Sequence, residues 1–206
     1  VPSVATAGPA LVFEPVNGTV FYSEDPDAQW FPASLTKLMT AYVTFKALKA
    51  GEIKPDTSMT CSQKAAAQAP SKLWLPVGGQ ITVDTGLKVL IVQSANDVAV
   101  MLAEAVAGNT EAFVARMNET AQKLGMTRTI IETDWTGDFI TSGQCWSTAR
   151  DFGRFGMFYL ADGVWKGERI LPEGWSKYVS TLAPSQPASR ARGGAGYGAQ
   201  FWVYGG

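Results

Sequence analysis

The stretch Phe31-Pro32-Ala33-Ser34-Leu35-Thr36-Lys37-Leu38-Met39-Thr40 constrains this chain most, because a turn containing proline runs there directly into an apolar-periodic segment. Leu35, Leu38, Met39, Tyr42, Val43 and Leu48 recur close to helical period, and Gly51 stops the run as a C-terminal cap. This is the expected central, buried helix, Leu35 to Ala50. At its start Ser34 and Lys37 stand three residues apart, on one face and within reach of each other. A serine hydroxyl is a weak nucleophile at neutral pH, and a lysine whose pKa is lowered by burial can take its proton. The helix N-terminus adds partial positive charge and N–H groups, which suit an oxygen that turns negative during acyl transfer. Ser34 reads as nucleophile and Lys37 as its base. An isolated Ser-x-x-Lys can equally be an N-cap beside a solvated charge, since four-residue patterns arise often by chance.

Two further features narrow that choice. The chain has no histidine, which excludes a Ser-His-Asp triad, a Cys-His pair and any histidine metal site. A serine hydrolase built on this sequence needs lysine as its base. Ser94-Ala95-Asn96 follows the apolar run Leu87 to Val92 and precedes another helical pattern, placing a hydroxyl and an amide on a short interhelical turn. Ser-x-x-Lys, a Ser-x-Asn-type element and Lys-Thr-Gly form the motif set of penicillin-binding proteins and class A β-lactamases. Two of the three are here, in order.

Pro32-Ala33-Ser34-Leu35-Thr36-Lys37-Leu38-Met39-Thr40 with Gln93-Ser94-Ala95-Asn96-Asp97 resembles the serine D-alanyl-D-alanine carboxypeptidases, the low-molecular-mass penicillin-binding proteins, over about Ala10 to Thr129. The resemblance implies an α+β fold of the β-lactamase/transpeptidase type, an antiparallel sheet packed beside an all-helical lobe. It also implies that Ser94 relays a proton to the leaving group, that Asn96 bonds the acyl side chain, and that peptidoglycan peptides or β-lactams are the ligands. The work would be done in the periplasm or at the cell-wall face. From about Thr133 the resemblance changes: the stretches Ser147 to Gly156 and Gly163 to Trp175 are similar to class C β-lactamase-like hydrolases, which include esterases. A junction near Leu124-Gly125-Met126 is the hybrid reading. The third element is missing, since there is no Lys-Thr-Gly, and Lys166-Gly167 and Arg192-Gly193-Gly194 are poor substitutes in loop-like sequence. The chain stops at Gly206, about where that strand and the rest of the sheet would follow. The expectation is a fragment of a longer protein or an incomplete site. A β-lactamase or esterase, and a non-hydrolysing β-lactam sensor or inactive domain, are the rival functions.

At 206 residues with 46% hydrophobic and 17% charged residues, the chain is expected to fold as one catalytic domain, 1–206. Its net charge of −1 with scattered Lys and Arg gives no phosphate-binding surface, so nucleic acid is not expected as a partner. No metal or other cofactor is expected. No apolar run reaches the roughly 18 residues of a membrane span, and Val1-Pro2-Ser3 has no signal-peptide pattern, as in a mature or trimmed chain. Cys61 and Cys145 read as buried thiols in preference to a disulfide.

Ala10 to Glu14 and Thr19 to Tyr22, joined through Pro15-Val16-Asn17-Gly18, predict a hairpin over about 10–23. Trp30 and Phe31 read as packing aromatics. The helical lobe is expected over about 35–180, with Pro70-Ser71-Lys72 near the rim of the site by resemblance. Thr82 or Asp84 caps a helix to Gln93, Asp97 begins the next and Gly108 ends it, and Asn109 or Thr110 caps another through Leu124. Ser147 is expected to cap a helix to Leu160, Pro172 to open another, and a strand to lie at about 196–204.

Overall fold

The structure is a computed structural model and describes residues 8–134, 145–184, 187 and 194–204. Its core is built on two helices. α1 (Thr36–Ala50) is buried at every residue from Thr36 to Thr44, and Gly51, in the left-handed conformation at φ 73°, ends it by donating to the last carbonyls. α4 (Asn96–Ala107) is fully enclosed from Asp97 to Ala103 apart from a trace at Met101. Each such Leu, Val or Met contributes about 1.5–3 kcal/mol by leaving water. α3 (Val83–Gln93) and α5 (Thr110–Lys123) pack against α4 and α1. Their N-caps are Thr82, which accepts from the Thr85 N–H, and Asn109, which accepts from the Ala112 N–H, so each cap falls on one of the two residues expected for it.

The remaining elements close the connections. β1 (Ala10–Phe13) and β2 (Val20–Glu24) form an antiparallel hairpin with a register shift between Val12 and Phe13. Glu14 and Asn17 side chains bond the backbone of its loop. β3 (Ser58–Thr60) pairs with β4 (Gln80–Thr82), and the short α2 (Gln63–Ala66) lies between them. β5 (Ile130–Ile131) pairs with β6 (Cys145–Trp146). α6 (Ala149–Leu160) packs on β1, with Gly153 so close to Phe13 that a Cβ there would sit 2.9 Å from its ring. β7 (Val164–Trp165) pairs with β8 (Glu168–Arg169), α7 (Trp175–Val179) follows, and β9 (Ala195–Tyr197) pairs with β10 (Trp202–Tyr204).

The architecture is α+β, and it departs from expectation in particulars. The strands among the described residues form only two-stranded pairs, three of them inside the 35–180 lobe, which is therefore not purely helical. The expected strand over 196–204 is a hairpin, β9–β10, because Gly198 donates to the Phe201 carbonyl and turns the chain. The cap of α6 is Thr148, not Ser147: the Ser147 backbone pairs with Trp30 and its hydroxyl meets that of Thr129 at 2.7 Å. Pro172 precedes α7 by a turn rather than starting it. Val1-Pro2-Ser3 and Arg192-Gly193 lie outside the described residues. Among those described, no single helix is long and apolar enough to cross a membrane.

Candidate active site

The turn that presents Ser34 is fixed from both sides. Ala33 to Leu35 form one turn of 3-10 helix leading into α1, with the Leu35 N–H donating to the Pro32 carbonyl. Ala33 is held at φ 50°, a left-handed conformation that costs a residue with a Cβ on the order of 1 kcal/mol. Upstream, Trp30 pairs through both backbone bonds with Ser147, at 2.8 and 3.0 Å, and Asp27 bridges Arg128 and Arg150. Trp30 and Phe31 do not bury their rings as expected: they stay 56% and 48% exposed, and Phe31 lies against Trp146 at 4.1 Å between centroids. The backbone pairing with Ser147 holds this segment at the surface.

Ser34 and Lys37 come together as the spacing predicts. Lys37 Nζ donates to Ser34 Oγ at 3.2 Å. The lysine is only 1% exposed while Ser34 is half-buried, so the hydroxyl is reachable and the amine is not. Burial alone pulls the ammonium down to about 8 from its ordinary 10.5, because desolvation disfavours the charged form. A neutral amine beside a serine hydroxyl can accept its proton.

Ser94 and Asn96 sit on the turn between α3 and α4, both of which pack on α1. Ser94 has φ 57° and ends α3 in the left-handed conformation. Its buried hydroxyl has no hydrogen-bond partner among the described residues, so it bonds neither Ser34 nor Lys37 here. Asn96 is 4% exposed and its Nδ2 donates to the carbonyls of Ala69 and Pro70 at 2.9 and 3.4 Å. The loop expected at the rim is thus joined directly to the Ser94-x-Asn96 turn. No cluster among the described residues could hold a metal ion. Both cysteines are free and buried, Cys145 beside Thr36 in the first turn of α1.

A sequence model of the peptidase S11 family, D-alanyl-D-alanine carboxypeptidase, matches residues 2–166. The chain belongs to this family. The carboxypeptidase family match runs past Leu124-Gly125-Met126, so one family covers the junction of the hybrid reading, and the residues after 166 fall outside it. D-alanyl-D-alanine carboxypeptidase DacC of Escherichia coli (strain K12) is 36% identical over 162 residues, 74% of this chain and 39% of the relative. DacA of Haemophilus influenzae is 32% identical over 180 residues, 86% of this chain and 43% of the relative. Penicillin-binding protein 5 from Haemophilus influenzae superposes with a TM-score of 0.67 at 32% identity, covering 79% of this chain and 47% of that one. The ampicillin-bound penicillin-binding protein D2 from Listeria monocytogenes shares the fold, with a TM-score of 0.65 at 22% identity over 94% of this chain and 71% of that one. This family member spans less than half the length of the carboxypeptidases it matches.

One buried acidic residue beside this turn has no site role in the sequence reading. Asp97 is fully buried and accepts from the backbone N–H groups of Leu73, Trp74 and Val98. An aspartate in the first turn of a helix is a legible dipole partner, but its partners in the 73–74 segment are visible only in three dimensions.

Proposed function

We propose that this chain carries the acyl-transfer centre of a serine DD-peptidase, which cleaves the terminal D-Ala from peptidoglycan stem peptides and is acylated by β-lactams. The observation that carries the reading is the 3.2 Å contact between Ser34 Oγ and a buried Lys37 whose pKa burial holds at about 8. Ser34 Oγ attacks the carbonyl carbon of the D-Ala-D-Ala bond while Lys37 Nζ takes its proton. The oxyanion is stabilised by the Ser34 backbone N–H near the start of the helix. Ser94 Oγ passes the proton on to the departing D-Ala nitrogen as the C–N bond breaks, and Asn96 orients the acyl chain. Water then hydrolyses the Ser34 ester. In a β-lactam the same C–N bond opens, but the amine stays tethered, so the adduct persists. The working place is the cell-wall face, outside the cytoplasm and in the periplasm, where the substrate lies.

Intact-protein mass spectrometry with benzylpenicillin, followed by peptide mapping, tests this reading. One adduct on Ser34 in the wild type and none in Ser34→Ala is expected. Labelling that persists in Ser34→Ala would refute the assignment. Many nitrocefin turnovers per Ser34 would replace it with a β-lactamase or esterase, and a stable adduct with no peptide cleavage would replace it with a β-lactam sensor.

A further inference from the structure

We propose that Asp97 is a positioning residue of this site: its carboxylate clamps the 69–74 loop onto the turn that carries Ser94 and Asn96. The proposal rests on the DD-peptidase reading for what the turn does, and on the following contacts for how it is held. Asp97 is 0% exposed. Its Oδ1 accepts from Leu73 N at 3.0 Å and Val98 N at 2.9 Å, and its Oδ2 from Leu73 N at 3.0 Å and Trp74 N at 2.9 Å. Four more bonds cross the same junction, three donated by the turn and one by the loop. Asn96 N donates to Ser71 O at 2.7 Å, Asn96 Nδ2 to Ala69 O, Gln93 Nε2 to Lys72 O at 3.0 Å, and Ser71 Oγ to Gln93 O at 3.1 Å. Backbone groups of every residue from 69 to 74 thus bond residues of the 93–97 turn.

A positioning role differs from ordinary packing here on two counts. A carboxylate fully removed from water is costly, and an apolar residue in the first turn of a buried helix would be cheaper. Here the charge is met by three backbone N–H groups, the arrangement that fixes geometry most tightly because backbone donors cannot rotate away. Lys72, 8% exposed and stacked over the Trp74 ring at 4.6 Å, shares the neighbourhood. Burial pushes the Cys61 thiol up, the nearby Asp97 and Glu104 add to that rise, and Lys72 opposes it, so Asp97 and Lys72 act on the same neighbourhood. Second, Ser94 and Trp74 both hold positive φ, 57° and 65°, which survives only where the surroundings over-determine the backbone. Asp97 bonds Trp74 directly and stands in the first turn of α4, three residues after Ser94. Without the clamp both backbones relax, and the Ser94 hydroxyl moves with them.

The test is Asp97→Asn, which keeps size but turns an NH2 toward a backbone N–H. Acylation of Ser34 by benzylpenicillin is followed under saturating conditions, with adduct stoichiometry and pH profile. The expected result is a full equivalent of adduct formed about 10- to 100-fold more slowly, the scale for misplacing a reacting group by about an ångström, with the pH midpoint unchanged because Lys37 is untouched. A reduced stoichiometry at the wild-type rate would mean that Asp97 only stabilises the fold, and would overturn the proposal. Should Asp97→Asn fail to fold, Gln93→Ala loosens the same junction from an exposed position; it is expected to slow acylation in the same sense, and a wild-type rate would count against the clamp. Hydrogen exchange of the wild type and Asp97→Asn gives a readout independent of acylation. Loss of protection confined to 71–74 and 94–98, with α5 unchanged, is expected, and unchanged protection there would refute the clamp. If the wild type takes no label, the DD-peptidase reading falls, while exchange still decides whether Asp97 holds the turn.

Discussion

Replacing Lys37 by methionine should stabilise this protein at neutral pH while removing its reactivity. The side chain is 1% exposed, and its pKa is held at about 8 instead of 10.5 by burial. Below about pH 8 folded and unfolded chains both carry the proton, so the fold bears the whole desolvation cost of the ammonium, about 3 kcal/mol. Between about 8 and 10.5 the unfolded chain binds a proton that the folded chain does not, so stability rises with pH through that window. Above about 10.5 the cost is gone. Methionine has a similar length and no charge to desolvate, and loses one hydrogen bond to Ser34, about 1 kcal/mol. The net gain at pH 7 is then about 2 kcal/mol, or roughly 4–8 °C in Tm for a domain of this size. Urea unfolding of both proteins from pH 6 to 11 measures the difference, in which tyrosines and other groups titrating alike in both cancel. A Lys37→Met variant less stable than wild type at pH 7, or a difference that does not change with pH, would refute the reasoning that burial sets this lysine's charge.

In the proposed mechanism the same lysine sets the pH dependence of acylation. It must be neutral to accept the Ser34 proton, so the acylation rate should climb about tenfold per pH unit below 8 and level off above it; a flat profile between pH 6 and 8 would remove Lys37 as the base. The two cysteines should be silent to Ellman's reagent in the native state at pH 8, because both are buried and burial raises both thiols, Cys145 to about 11 against the pull of its Thr36 bond. Two equivalents should appear only in denaturant, and rapid reaction of either native thiol would contradict the packing.

What was legible in the sequence was local. The 3.6-residue pattern from Leu35 to Ala50, Gly51 beyond it, and the caps at Thr82, Asn109 and Gly108 are read within a few residues, and the Ser34–Lys37 contact follows from a three-residue spacing. Where a residue had a local and a distant use, sequence reading chose the local one. Ser147 reads as a cap but is spent on Trp30 and Thr129. Trp30 and Phe31 read as core because aromatic area favours burial, yet that backbone pairing keeps them outside. Tyr197 to Tyr204 reads as one strand because the Gly198 turn inside it has only a single glycine to mark it. Asp97 reads as the start of its own helix, and its bonds to Leu73 and Trp74 belong to the tertiary fold.

The pairing of Trp30 with Ser147, and of Asp27 with Arg128 and Arg150, also sets an order of events. The Ser34–Lys37 contact closes within one helical turn, on the timescale of helix formation, whereas the segment that leads into Ser34 is anchored by residues about half the chain or more away. Closing so long a loop comes after the local helices and depends on them. During synthesis the first 123 residues can assemble α1, α3, α4 and α5 while the approach to the nucleophile still lacks its partner. If Ser34 is the proposed nucleophile, its reactivity is expected to develop late, once residues 147–151 have emerged and docked, and to report on that long-range pairing and not on α1 alone.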